Sequence, residues 1–333
     1  LRTMLPRVEA VEVSTGPWRK YASLLLSLLR LKPYLAGLYG GRRLRRELAR
    51  LAQGQDAVHA VYPYGAQLAV GLGCLKVMDT QNVEADVLAG NARRASNVFA
   101  WAHHLVQGAL MRRLELGIAA RMDAVLACSE SDREFFLKAN PETFTVPNAV
   151  EGVRERDFPQ GKDVVFTGLM GYLANADGAR WFRREVWPLV RERCPGARLF
   201  LVGKDPRPEV LALAGPDVTV TGRVEDVSEY FRLARVFVCP LRVGSGTRLK
   251  ILEAFSWGVP VVSTSVGVSG IEAEPGRHLL VADTPRTMAD AVADVLGDDG
   301  LARRVGEAGR ELVLARYTWA EVVKKLNEKV YRQ

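Results

Sequence analysis

From residue 163 onward, short and nearly continuous apolar runs alternate with longer stretches of helical period. The runs are DVVFTG (163–168), ARLFLVG (197–203), VTVTG (218–222), VFVCP (236–240), VPVVST (259–264) and HLLVA (278–282). They predict strands covered on both faces. Between them, DGARWFRREVWPLVRERC (177–194) places Trp181, Phe182, Val186 and Val190 at helical spacing, and PEVLALAG (208–215) and DVSEYFRLA (226–234) predict shorter helices. Two long amphipathic helices close the chain. Strands of this kind separated by helices predict a parallel sheet with helices on both faces, and such sheets bind ligands beyond the carboxyl ends of their strands.

The first half is less regular. DAVHAVYP (56–63), CLKVMDTQN (74–82) and DAVLACSES (123–131) predict strands that run into polar loops. Ser131 and Glu134 have the spacing of a capping box opening the helix REFFLKA. Residues 95–117 predict a long amphipathic helix whose Phe99, Trp101, Leu105, Leu110 and Met111 face the core. PNAVEGVRERDFPQGKD (147–163) is polar and aperiodic and predicts a linker. The outline is α/β: a lobe over residues 1–150 and a second from 151, with strand ends facing a central cleft.

Composition fits this outline. The chain has 333 residues, 48% hydrophobic and 25% charged, enough for two domains with cores of their own. Its formal net charge is +8. Residues 1–150 hold 19 Lys+Arg against 13 Asp+Glu, so most of the excess lies there, densest in GGRRLRRELAR (40–50). A basic face suits an anionic membrane surface, nucleic acid or an anionic substrate; a solvated helix face is the plainer reading. No basic run interleaves with aromatics, so nucleic acid is not an expected partner. The apolar segment 21–39 is broken by Arg30, Lys32 and Pro33, which predicts a buried or interfacial helix, not a span. No signal peptide is visible. Cys74, Cys128, Cys194 and Cys239 lie far apart and predict buried free thiols, as in a reducing, cytoplasmic protein.

The richest chemistry lies in GSGTRLKILEAFSWGVPVVST (244–264), read as loop, helix, turn and strand. Lys250 and Glu253 share one face of that helix. Glycines let the backbone approach a ligand, and the first N–H groups of a helix favour an anion. With Arg248 and Lys250 added, a diphosphate fits the loop. Glu253 can accept both hydroxyls of a vicinal diol, such as a ribose. Spacing alone leaves a Lys250–Glu253 ion pair as an equal alternative.

Here the chain resembles the retaining glycosyltransferases of family 4, which have the two-lobed GT-B fold. The resemblance spans residues 56–333. It rests on GLMGYLANADGARWF, ARLFLVGKDP, VTVTGRVEDVSEYFRLARVFVCPLRVGSGTRLKILEAFSWGVPVVST and ARYTWAEVV, and in the first half on VMDTQNVEADVL, DAVLACSESDREFF and VPNAVE. It implies two Rossmann-like lobes, an acceptor-binding lobe over 1–150 and a nucleotide-sugar lobe over 151–317, with a final helix, 318–333, crossing back to the first lobe. It implies Lys250, Glu253 and Arg248 as the catalytic residues. Gly168, Tyr172, Asn175, Gly244, Ser245, Gly246 and Thr247 are then donor contacts, and Gly222, Arg223 and Val224 hold the base. Family members commonly carry a second glutamate where this chain has Ser245, and a loop arginine where it has GLMGYLAN. Arg248 is expected to replace that arginine.

The first lobe is expected to hold a glycan or lipid-linked acceptor. Asp79, Gln81, Asn82 and Glu84 cluster after a strand, with Gln81 where the family often has histidine. His59 reads as a satisfied core histidine. The family mechanism needs no dedicated base and no metal, because the departing diphosphate takes the acceptor proton; no cofactor is expected. The basic lobe and the apolar segment predict docking at the cytoplasmic face of a membrane. The family's opening strand and Gly-rich loop are not found. That keeps open a catalytically degenerate nucleotide- or partner-binding protein, and a nucleotide-sugar epimerase of the same fold remains a further alternative. Nothing in the sequence chooses among UDP, GDP, ADP and dTDP.

Overall fold

The structure, a computed structural model, describes residues 22–23, 27, 31–93, 95, 97–244 and 246–331. They form two compact units. The first contains the described residues up to Thr80, within Glu84–Leu126 and within Phe136–Thr143; the second contains Gln81–Val83, Ala127–Phe135 and the described residues from Phe144 on.

In the first unit, α1 (Tyr34–Tyr39) and α2 (Arg42–Leu51) precede β1 (Ala57–Val61), α3 (Pro63–Ala66) and β2 (Leu75–Thr80). Then come α4 (Glu84–Arg93), α5 (Val98–Ala119) and β3 (Ala124–Ala127); α6 (Glu130–Phe136), which belongs to the second unit up to Phe135, precedes β4 (Thr143–Thr145). The sheet order is β1-β2-β3-β4, with β1 parallel to β2. The segment 21–39 falls partly outside the described residues. Among those described, no helix is long and apolar enough to cross a membrane.

Three expectations for this half need correction. The capping serine of α6 is Ser129, whose Oγ accepts from Asp132 N at 3.2 Å, so the helix starts before Ser131. Both serines have an acidic residue three positions on, and the spacing alone does not separate them. The aromatic face of α5 is not core. Phe99 is 84% exposed, and Val98, Trp101, Leu105 and Val106 are exposed too. Met111 is buried as expected, but beside Gln107, Gly108, Glu115, Ile118 and Ala119, because α4 packs against a small-residue face. A Cβ on Gly108 would lie 3.5 Å from Leu88 Cβ. The buried polar groups there have partners: Gln107 Oε1 accepts from Tyr34 N at 3.0 Å, and Glu115 accepts from Glu84 N and Ala85 N at 2.7 and 3.2 Å. Glu115 thereby caps α4 from a distant segment, while burial raises its pKa to about 8. Third, His59 is not a core histidine. It is exposed, and its Nε2 lies 3.3 Å from Asp79 Oδ2.

The second unit is built on six parallel strands in the order β10-β9-β8-β5-β6-β7. Its elements are β5 (Asp163–Thr167), α7 (Leu173–Trp181), a π-helical turn (Phe182–Val186), α8 (Trp187–Arg193), β6 (Arg198–Val202), α9 (Pro208–Leu211), β7 (Val218–Gly222), α10 (Ser228–Leu233) and β8 (Val236–Cys239). Then follow α11 (Leu249–Ser256), β9 (Val261–Ser263), α12 (Ser265–Val268), β10 (Leu280–Val281), α13 (Pro285–Gly297), α14 (Asp299–Arg316) and α15 (Trp319–Leu326). Every residue of β5, β8 and β9 is buried, as continuous apolar runs require when helices cover both faces. The chain moves outward through β6 and β7, then returns to pair β8 on the other side of β5. The order reverses there, so the crevice beyond β5 and β8 is the switch point at which such sheets take ligands.

The polar stretch 147–163 is not a free linker. Arg154 N donates to Ser256 O at 2.8 Å, and the Arg156 guanidinium donates to Phe231 O, Ala234 O and Gly258 O. Its charges satisfy carbonyls of the second unit instead of solvating a hinge. The cysteines carry no disulfide: Cys128, Cys194 and Cys239 are buried and Cys74 is half-buried.

Candidate functional site

Helix α11 follows β8 at the switch point. Ile251, Leu252, Ala254 and Phe255 are fully buried, which leaves Lys250 and Glu253 on the remaining face. Both line a cavity of about 1040 Å³ within the second unit, together with Gly168 beyond β5, Gly203 beyond β6, and Arg223 and Val224 beyond β7.

Lys250 Nζ donates to Asn175 Oδ1 at 2.8 Å and sits 4.5 Å from the centroid of the Phe166 ring. It makes no ion pair with Glu253 within 4.0 Å. The ion-pair alternative therefore fails on geometry. A neutral amide and an aromatic face hold the ammonium without neutralising it. Burial lowers the Lys250 pKa to about 8, with Arg248 also lowering it and Glu253 opposing. Burial raises the Glu253 carboxyl, against the pull of Lys250.

Two glycines make this arrangement possible. Gly168 has φ +158°, and a Cβ on it would meet Lys250 Nζ at 2.7 Å and Asn175 Nδ2 at 2.8 Å. Gly203 has φ +148°, and a Cβ there would lie 1.7 Å from Gly168 O. The ends of β5 and β6 touch through bare backbone, which keeps the floor of the cavity open toward Lys250.

Of the sequence-predicted residues, Gly168, Arg223, Val224, Lys250 and Glu253 line the cavity, and Asn175 joins them through Lys250. Tyr172 is half-exposed at the start of α7, and Gly222 ends β7 at φ +68°. Arg248, immediately before α11, is largely buried; its Nη1 donates to Gly246 O at 3.0 Å, and burial lowers its pKa. Gly244 and Gly246 both have positive φ, and Thr247 Oγ1 donates to Cys128 O at 2.8 Å. Ser245 lies outside the described residues. The four acceptor candidates divide between the units. Gln81 and Asn82 belong to the second, where a Cβ on Gly246 would lie 2.4 Å from Gln81 O; Asp79 and Glu84 belong to the first. Sequence reasoning missed Arg154, Arg232, Trp257 and Trp319, all of which line the cavity. Trp257 stood in the quoted stretch, and Arg154 was hidden in the presumed linker.

Residues 161–298 match the family model described as glycosyl transferases group 1. The segment is a glycosyl transferases group 1 domain. It contains β5–β10, the cavity's glycines, Lys250 and Glu253. Over 155 residues the chain is 35% identical to a GDP-mannose-dependent alpha-(1-6)-phosphatidylinositol monomannoside mannosyltransferase of Mycobacterium tuberculosis, a match covering 42% of this chain and 40% of that protein. It is 26% identical over 216 residues to a phosphatidyl-myo-inositol mannosyltransferase of Mycobacterium leprae, covering 60% and 57%. The matches thus span about half the length of these curated relatives, or less. Among solved structures, sucrose-phosphate synthase of Thermosynechococcus elongatus superposes with TM-score 0.68 at 19% identity, covering 87% of this chain and 77% of that one. Anabaena Alr3699/HepE in complex with UDP gives 0.69 at 13%, covering 87% and 82%. At such identities the likeness establishes the fold, which is GT-B: an α/β chain with parallel sheets in two Rossmann-like lobes.

Proposed function

We propose that this chain is a retaining, metal-independent hexosyltransferase. It takes a nucleoside diphosphate sugar into the cavity of the second unit and passes the sugar to a hydroxyl of a glycan or lipid-linked acceptor. The observation that carries this reading is the Lys250 ammonium: half-buried at the wall of the switch-point cavity, and held by Asn175 instead of a carboxylate. A partly desolvated charge with no carboxylate partner favours a ligand anion that completes it. The diphosphate lies against Lys250, with Arg248 adding charge behind the loop, and the ribose diol donates to Glu253. The base lies by Arg223 and Val224.

In the reaction, the bond between the sugar C1 and the diphosphate oxygen breaks, and the acceptor oxygen bonds to C1 on the same face. The acceptor proton goes to the departing diphosphate oxygen. The protein's part is preorganised charge against the diphosphate, so no general base is required. The GDP-mannose dependence of the Mycobacterium tuberculosis relative and the UDP-bound neighbour make GDP- and UDP-sugars the first donors to try. The exposed Val98, Phe99, Trp101, Leu105 and Val106 on α5, and the arginine-rich α2, support contact with an anionic membrane surface carrying the acceptor, at its cytoplasmic face.

The test is donor turnover. The chain is incubated with GDP-mannose, UDP-glucose and UDP-N-acetylglucosamine and octyl α-mannopyranoside, and nucleotide release and the anomeric NMR coupling of the product are followed. One donor should be consumed, equally with and without a chelator, giving a product of unchanged anomeric configuration. Inverted product, or no consumption of any donor by folded protein, refutes the reading.

A further inference from the structure

At the carboxyl end of β1 the first unit holds a feature that the donor chemistry does not use. Tyr62 has φ +64° and ψ +151°, a region that only glycine occupies without strain. The surrounding backbone fixes it there. Tyr62 N donates to Asp79 O at 2.8 Å, and Tyr62 O accepts from Gly65 N and Ala66 N at 3.0 and 2.9 Å. The strained backbone presents its ring to Tyr64, at 5.1 Å between centroids and 14° between planes, and Tyr64 stacks in turn on Tyr39 at 5.1 Å and 25°. Three rings form one ladder, with Tyr39 exposed and Tyr62 and Tyr64 half-buried. Glycine would make the same turn without strain, so turn geometry alone does not require the ring.

Polar groups flank the ladder. Asp79 is the residue paired with Val61 across the sheet, and His59 stands 3.3 Å from its carboxylate. Glu84 is close enough for its charge to act on Tyr64 and Tyr34. Burial first, and that charge next, holds the Tyr64 hydroxyl above its ordinary pKa; for Tyr34, burial leads, followed by Tyr39 and then Glu84. A pyranose has the matching surface: an apolar C–H face that suits the electron-rich face of an aromatic ring, and a rim of hydroxyls that carboxylates accept.

We propose that the Tyr39–Tyr64–Tyr62 ladder is a platform on which a pyranose ring stacks, with Asp79 and Glu84 taking its hydroxyls. That the ring belongs to the acceptor rests on the transferase reading; the sugar site itself does not.

The test uses the full chain with ring-¹³C tyrosine, titrated with methyl α-D-mannopyranoside and methyl α-D-glucopyranoside, with mannitol as an acyclic control. Tyr39, Tyr62 and Tyr64 signals are assigned by single Phe substitutions. A pyranoside should shift the ladder resonances and mannitol should not. Tyr62→Gly, which relieves the strain but removes the ring, should weaken pyranoside binding roughly tenfold. Tyr62→Phe should retain it. The proposal is overturned if neither pyranoside shifts the ladder, if mannitol shifts it equally, or if Tyr62→Gly binds as tightly as the wild type. GDP and UDP binding measured on the same samples separates the two readings. Nucleotide binding without pyranoside binding sinks the ladder alone; pyranoside binding without nucleotide binding leaves the ladder and sinks the transferase.

Discussion

Replacing Lys250 with methionine is expected to lower sugar transfer about 100- to 1000-fold, the range for loss of one preorganised charge at a reacting group. The fold should survive. Methionine is close in volume, and the ammonium's own contacts are one amide oxygen and one aromatic face. The pH dependence separates this role from a structural one. Burial lowers the Lys250 pKa from 10.5 to about 8. Between those values the unfolded chain binds the proton more tightly than the folded one, so this group makes the unliganded protein more stable as pH rises through that window. Donor binding has the opposite trend: it needs the ammonium and weakens as pH rises past about 8. Lys250→Met should lose both trends. Thermal melts and nucleotide affinity, each measured from pH 7 to 10 on both proteins, check this; a variant within tenfold of wild-type turnover would remove Lys250 from the mechanism.

Gly203→Ala should be the most damaging single methyl in the second unit. The added Cβ would lie 1.7 Å from Gly168 O, and both partners are backbone, so no side chain can rotate aside. The change combines overpacking with a left-handed φ unsuited to alanine, a cost of roughly 3 kcal/mol or more. The strands must separate just where Gly168 borders Lys250. A lowered denaturation midpoint together with lost nucleotide binding is expected by equilibrium unfolding and titration. A wild-type midpoint would mean that the two strand ends do not approach as described.

Much of the second unit was legible because its strands carry one strong signal. The runs at 163–168, 197–203, 236–240 and 259–264 have nearly continuous apolar centres, as a strand covered on both faces requires. The helix carrying Lys250 and Glu253 was legible for a related reason: its other faces are greasy, so two charges three apart stood out. What those charges touch was not legible. Asn175 lies 75 residues from Lys250, and only the fold decides that it, and not Glu253, receives the ammonium.

The first unit hid more. The aromatics of α5 read as a core stripe because periodicity reports that a helix has an apolar face, not that anything covers it; the covered face uses Gly108, Gln107 and Glu115. In the second unit, the arginines at 154 and 156 made their segment look solvated, yet the Arg156 guanidinium reaches three carbonyls and the backbone N of Arg154 donates to Ser256 O. Nor can sequence announce a tyrosine with positive φ. In AVYPYG the glycine invites that reading, and the structure puts it on Tyr62.

The most direct test of the central claim is calorimetric titration of the chain with UDP, GDP, ADP and dTDP, beside Glu253→Ala and Lys250→Met. If the switch-point cavity holds a nucleoside diphosphate sugar, one nucleotide binds the wild type and binds more weakly to both variants, since each removes a different contact, ribose or diphosphate. Equal binding by all three proteins would place the nucleotide elsewhere, and no binding by folded wild type would contradict the donor site itself.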